Sequence, residues 1–127
     1  MARIIAATQW AGAEAAIADP YRLATVMPLL DGASAVLWLM GTANGSEDSV
    51  DAVHGPRLES MLEHIVDTPV RGLVYETGGV ERPAAEATCA RAARTWAMPV
   101  EVVDASPGDH EAWLAAASDA VGRVLRA

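Results

Sequence analysis

The stretch AVLWLMGTANG, residues 35–45, runs six apolar side chains straight into a turn of small residues, Gly41-Thr42-Ala43-Asn44-Gly45. A short apolar run ending in such a turn reads as a strand covered on both faces, with its carboxyl end free to approach a ligand. Further apolar runs at residues 13–18, 72–75 and 100–103 repeat the pattern, separated by longer segments of helical period. That alternation predicts parallel strands joined by crossover helices, hence an α/β fold. A chain of 127 residues has room for one core, so residues 1–127 are expected to form a single domain.

The helical segments carry their own punctuation. Asp19-Pro20 is a helix start, because the carboxylate can cap free N–H groups and proline suits the first turn. A helix over residues 20–30 is predicted to face the core with Leu23, Val26, Met27 and Leu30. Pro28 should bend or shorten it, and Asp31-Gly32 should end it. Residues 47–66 place Val50, Val53, Leu58, Met61, Leu62 and Ile65 on one face, with a kink or break at His54-Gly55-Pro56. Residues 84–97 should bury Ala85, Cys89, Ala92, Ala93 and Trp96 while Arg91 and Arg94 face outward. Residues 109–126 should bury Trp113, Ala117, Val121 and Val124. Residues 2–11 read as a short helix, with a strand through Ile4-Ile5 as the alternative.

Composition removes several classes of function. A formal charge of -8 opposes binding to nucleic acid or to an anionic membrane surface. All nine basic side chains are arginine, which closes every mechanism that needs a lysine: the P-loop lysine, a Schiff base and a Tyr-x-x-x-Lys pair. No apolar run reaches the ~18 residues of a membrane span. Arg3, an apolar stretch and an A-x-A-like end resemble a signal peptide, but Gln9 and Glu14 interrupt it. The single Cys89 cannot form an internal disulfide and reads as a small buried residue, so a cytoplasmic location is expected.

Catalytic signals are few. Glu47, Asp51 and His54 fall at i, i+4 and i+7, yet the spacing is ordinary for a solvated acidic face, as are Asp48, Glu59, Glu63 and Asp67, and no metal centre is predicted. His64 and His110 lack partners, and no serine has the G-x-S-x-G setting of a nucleophile elbow. No catalytic residue is assigned. Ligands of open parallel sheets bind at the carboxyl ends of the strands. The candidate positions there are Asp19 and Pro20, residues 41–45, 76–79 and 104–107. Taken singly, these are also the caps and glycines that any such fold requires.

The order of these pieces is more specific than any of them alone. GAEAAIADPYRLATVMPLLDGASAVLWLMG (12–41) followed by HGPRLESMLEHIVDTPVRGLVYETGG (54–79) resembles the NAD(P)-binding domain of atypical short-chain dehydrogenases and their epimerase-like relatives. The resemblance spans about residues 12–80. It implies a Rossmann-like parallel sheet of about four strands in two or three layers, a truncated doubly wound fold. It further implies NAD or NADP as cofactor, with Asp19 and Pro20 near the adenine. Met40, Gly41, Thr42 and Ala43 would then lie near the riboses, and Tyr75, Glu76 and Thr77 near the nicotinamide. The family's G-x-G-x-x-G turn and Tyr-x-x-x-Lys pair are absent from this sequence, so the chain corresponds to the part of the domain after its first two strands.

The resemblance therefore implies an oxidoreductase or epimerase relative whose cofactor binding is compromised or is completed by another chain. The alternative is a non-catalytic Rossmann-like module for assembly or regulation. Topology adds one expectation. If the remaining strands close up in order, successive right-handed crossovers put the connecting helices on one face. The other face is then exposed unless the terminal segments cover it, which predicts a homodimer through an uncovered sheet face or edge.

Overall fold

A computed structural model describes residues 16–127. The expected helix over residues 2–11 and the first part of the expected strand over 13–18 lie outside the described residues, and residues 16–18 carry no strand. Among the described residues the chain is α/β, with a parallel three-stranded sheet in the order β1-β2-β3. Its strands are β1 (Ala35–Trp38), β2 (Gly72–Glu76) and β3 (Val100–Val103). Ala35 pairs with Gly72 and Trp38 with Tyr75; Leu73 pairs with Val100 and Glu76 with Val103. Helices α1 (Glu47–His54) and α2 (Pro56–Ile65) connect β1 to β2, α3 (Pro83–Trp96) connects β2 to β3, and α4 (His110–Arg126) follows β3.

Side chains alternate across the strands with period two, and the two resulting faces meet different helices. Val36, Trp38, Leu73 and Tyr75 pack with Val53, Leu58, Met61, Leu62 and Ile65 of α1 and α2 and with Ala85, Cys89 and Ala92 of α3. Val74 and Val103 point the other way, onto Ala117, Ala120 and Val124 of α4. The two connecting units thus share one face, as expected. The C-terminal helix covers the opposite face over β2, β3 and Ala35 of β1, and its Arg123 donates to Glu101 on β3 at 2.7 Å.

The break at His54-Gly55-Pro56 follows from proline chemistry. Pro56 has no N–H to give the Ala52 carbonyl, which accepts from Gly55 instead at 3.3 Å. The Val53 carbonyl, also freed by the break, accepts from the buried Trp38 indole at 2.7 Å. Helix starts are capped as the residue types dictate: the Ser46 hydroxyl accepts from the Ser49 N–H ahead of α1, and the Asp109 carboxylate from the Ala112 N–H ahead of α4.

Two expectations are corrected. Residues 20–30 form two 3-10 turns, Leu23–Thr25 and Met27–Leu30, and not a helix. Leu23, Val26, Met27 and Leu30 still pack on the core, but Pro28 shortens the segment and Thr25 turns its hydroxyl back onto the Asp19 and Arg22 carbonyls. Trp96, expected inside, is exposed. It lies in the last turn of α3 and lines an open groove between α2 and α3 together with Glu59, Leu62 and Arg91.

Candidate functional site

The carboxyl ends of the three strands form the crest where a ligand of a parallel sheet would sit. Two glycine contacts shape it. A methyl group on Gly41 would stand 2.5 Å from the Gly78 Cα and N and 2.8 Å from the Glu76 carboxyl carbon. The loops after β1 and β2 therefore touch backbone to backbone. A methyl group on Gly79 would stand 3.0 Å from the Ser106 Cα, so the loops after β2 and β3 are also in close contact. Gly78 and Gly79 both adopt positive φ, +83° and +78°, a conformation that favours glycine.

Glu76 occupies the middle of this crest. Its side chain lies on the α4 face of the sheet and is 3% exposed. One carboxylate oxygen accepts the Gly41 N–H at 3.0 Å and the other accepts the Trp113 indole N–H at 2.7 Å. The neighbouring Thr77 is buried: its N–H donates to the Val103 carbonyl, its hydroxyl accepts from Gly79, and its carbonyl accepts from the Arg82 Nε at 2.9 Å. This loop spends its polar groups within the fold.

Strand alternation separates residues that the resemblance placed together. Tyr75 and Glu76 are consecutive in β2, so their side chains leave on opposite faces. The Tyr75 phenol is fully buried beneath α1, where its hydroxyl lies 2.6 Å from His54 Nδ1 and the two rings meet edge to face. Gly41, half-buried, directs its N–H at Glu76, while Thr42 and Ala43 are exposed and Met40 is half-buried, its carbonyl closing a turn with the Ala43 N–H at 3.0 Å. Asp19 and Pro20 are half-buried in the irregular segment before the 3-10 turns, where the Asp19 carboxylate accepts the Tyr21 N–H at 3.0 Å. The structure therefore brings together Gly41, Glu76 and Thr77 and directs Tyr75 elsewhere. Arg82 and Trp113 join this network and His54 pairs with Tyr75 on the other face, although no local spacing singled them out as partners.

His54 is the other polar group buried here. Burial pushes its imidazole below the ordinary value, the nearby Arg82 charge adds to that, and the Met40 backbone with Asp51 and Glu76 opposes both. Burial likewise pushes the Tyr75 phenol up, so the phenol is a neutral partner for a neutral ring. His54 Nε2 makes no well-formed hydrogen bond among the described residues, although the Met40 backbone is close enough to favour the charged ring. Cys89, on the same face of the sheet, has its thiol pushed up to about 12 by burial, with Glu86 adding to the effect, and it behaves as an inert core side chain. The described residues contain no group of three or more His, Cys, Asp or Glu able to hold a metal ion, and no helix long and apolar enough to cross a membrane.

A consequence for stability follows from His54. Its native value is lowered, so the unfolded chain binds the proton more readily than the folded one. The contribution is fully present above the ordinary imidazole value of 6.5 and is lost as pH falls through that value toward the lower native one. We expect the urea midpoint to drop between pH 7.5 and 5.5 and His54→Gln to show a shallower drop. Parallel pH dependence in the two proteins would show that His54 does not contribute.

Fold and site together define an α/β protein with a parallel sheet whose strand-end crest is closed by internal contacts. In comparisons with known proteins, no family model, no curated protein and no solved structure matches the chain.

Proposed function

We propose that this chain is a non-catalytic Rossmann-like module with a role in assembly or regulation, related by descent to the NAD(P)-binding atypical short-chain dehydrogenases. The observation that carries this reading is Glu76. Its carboxylate takes up the Gly41 N–H, one of the backbone donors that a nucleotide at the strand ends would use, and it places negative charge where a pyrophosphate would bring more. The Gly41–Gly78 contact leaves no gap between the first two loops. Tyr75, the side chain with the most chemical potential at the nicotinamide position, is held in the core by His54. The described residues do not fit a dinucleotide unaided.

A second reading is NAD(P) binding completed by another chain. What favours it is the outer edge of β1: by the resemblance, the glycine-rich strand of the family would run there, and β1 has a strand neighbour on one side only among the described residues.

Thermal unfolding with millimolar NAD, NADP or the nucleotide monophosphates separates the two. A ligand present at one hundred times its Kd stabilises a one-site protein by about 2.7 kcal/mol, several degrees in Tm for a chain of this size. We expect no shift with any of them. A rise with NAD or NADP alone would replace the module reading by the cofactor reading.

A further inference from the structure

We infer that β1 is a self-association edge, along which a second copy of this chain adds its own β1 to extend the sheet. This inference deepens the assembly reading above and rests on it. Three observations converge on it.

The first concerns backbone groups. The Ser34 carbonyl accepts the Arg71 N–H at 2.8 Å, so Ser34, and with it Val36 and Trp38, direct their backbone toward β2. Ala35 and Leu37, alternating with them, direct N–H and C=O away from it. Natural edge strands are commonly blunted by shortness, lysine, proline or an inward charge; β1 is four residues long, and its sequence AVLW carries no lysine, proline or charge.

The second concerns the side chains. Leu37 and Leu39 are 42% and 38% exposed, and Leu37 lies on the α4 face of the sheet, where of the β1 residues only Ala35 packs against the α4 cluster. Leu114 and Leu125, 50% and 37% exposed, lie on the α4 flank opposite the one that carries Arg123 to Glu101 on β3. That flank faces β1. Leucines of strand and helix thus border one apolar strip beside the edge, the surface that packed sheets keep covered.

The third concerns charge and identifies the occupant. The chain carries -8 overall, which repels a second copy wherever acidic groups would meet. Residues 32–46 contain no charged side chain. The β1 part of this surface therefore meets the β1 of an identical acidic chain without like-charge contact. A two-fold axis beside β1 would also set strand against strand antiparallel and leucine against leucine, the self-complementarity that a closed dimer requires.

Light scattering behind size exclusion at tens of micromolar chain tests this. The wild type is expected at twice the 13.3 kDa of one chain, and the double variant Leu37→Lys, Leu39→Lys at the mass of one. Because both leucines are exposed, the variant should retain its circular dichroism. Amide exchange at Leu37 should be slow in the wild type and fast in the variant. A monomeric wild type overturns the inference: slow Leu37 exchange would then assign the edge to residues 1–15 of the same chain, and fast exchange would leave it open to water. A dimer that persists in a folded variant also overturns it. The nucleotide experiment is independent of mass, so a failed dimer and a failed module reading are told apart.

Discussion

Replacing Glu76 by alanine is expected to lower the unfolding free energy by about 2–4 kcal/mol, with the urea midpoint falling and its slope unchanged. Hydrogen bonds to a charged acceptor are worth more than neutral ones, and a donor left without a partner in a buried place loses its hydration as well. Glu76→Ala removes both acceptors at once. It strands the Trp113 indole N–H beneath the crest and leaves the Gly41 N–H to whatever water reaches it. Glu76→Gln keeps the shape and one acceptor while turning an NH₂ group toward one of the two donors, so about half the loss is expected. Trp113 fluorescence should report the same event locally, because its polar contact is with Glu76. A variant as stable as the wild type, with unchanged fluorescence, would show that the crest is held by the glycine contacts alone. If Glu76→Ala gained affinity for NAD or NADP, the carboxylate would be an internal stand-in for a ligand, as the module reading has it; binding by the wild type is the result that would overturn that reading.

Gly72→Ala is expected to cost at least the upper end of the roughly 1–3 kcal/mol typical of overpacking, and to reduce the yield of folded protein. Gly72 opens the central strand. A methyl group there would stand 2.1 Å from the Pro99 carbonyl oxygen and 3.0 Å from a Val124 methyl. The same Pro99 carbonyl accepts the Leu73 N–H at 3.1 Å, so relieving the clash pulls apart the first rung between β2 and β3. The obstacle is backbone on one side and a fully buried valine on the other, and neither can rotate away. Gly108→Ala is the matched control: its added methyl meets only the Ser106 hydroxyl, at 3.5 Å, and should change the urea midpoint little. Equal effects of the two substitutions would place the cost in backbone freedom and not in the contact with Pro99.

Much of the architecture is legible from local pattern. The strand Val100–Val103 and the helix breaks at His54-Gly55-Pro56 follow from apolar runs and from what proline lacks. The inward positions of α2, α3 and α4 follow from helical period, because a residue's face on its own element depends only on its neighbours in sequence. Where local pattern misled, the residues lay at the margins of elements: residues 20–30, where Pro28 and the Thr25 hydroxyl compete with helical bonds, and Trp96, whose period points inward but whose turn extends into the groove with α2.

The site itself was legible only as a set of positions. The resemblance gathered Asp19, Met40, Gly41, Tyr75, Glu76 and Thr77 because each stands at or near the end of a strand expected from the sequence. The contacts that decide what they do join residues 21, 35 and 37 apart in sequence: His54 with Tyr75, Gly41 with Glu76, and Glu76 with Trp113. Period two already requires Tyr75 and Glu76 to leave the sheet on opposite sides, but which side meets α1 and which meets α4 depends on where the helices pack. The sequence by itself determined the α/β class, the parallel alternation and the acidic, lysine-free surface. Only the tertiary structure decided that α4 covers the second face over β2, β3 and Ala35, that Glu76 turns inward and that, among the described residues, β1 stands at the edge, because these depend on the packing of segments distant in the chain.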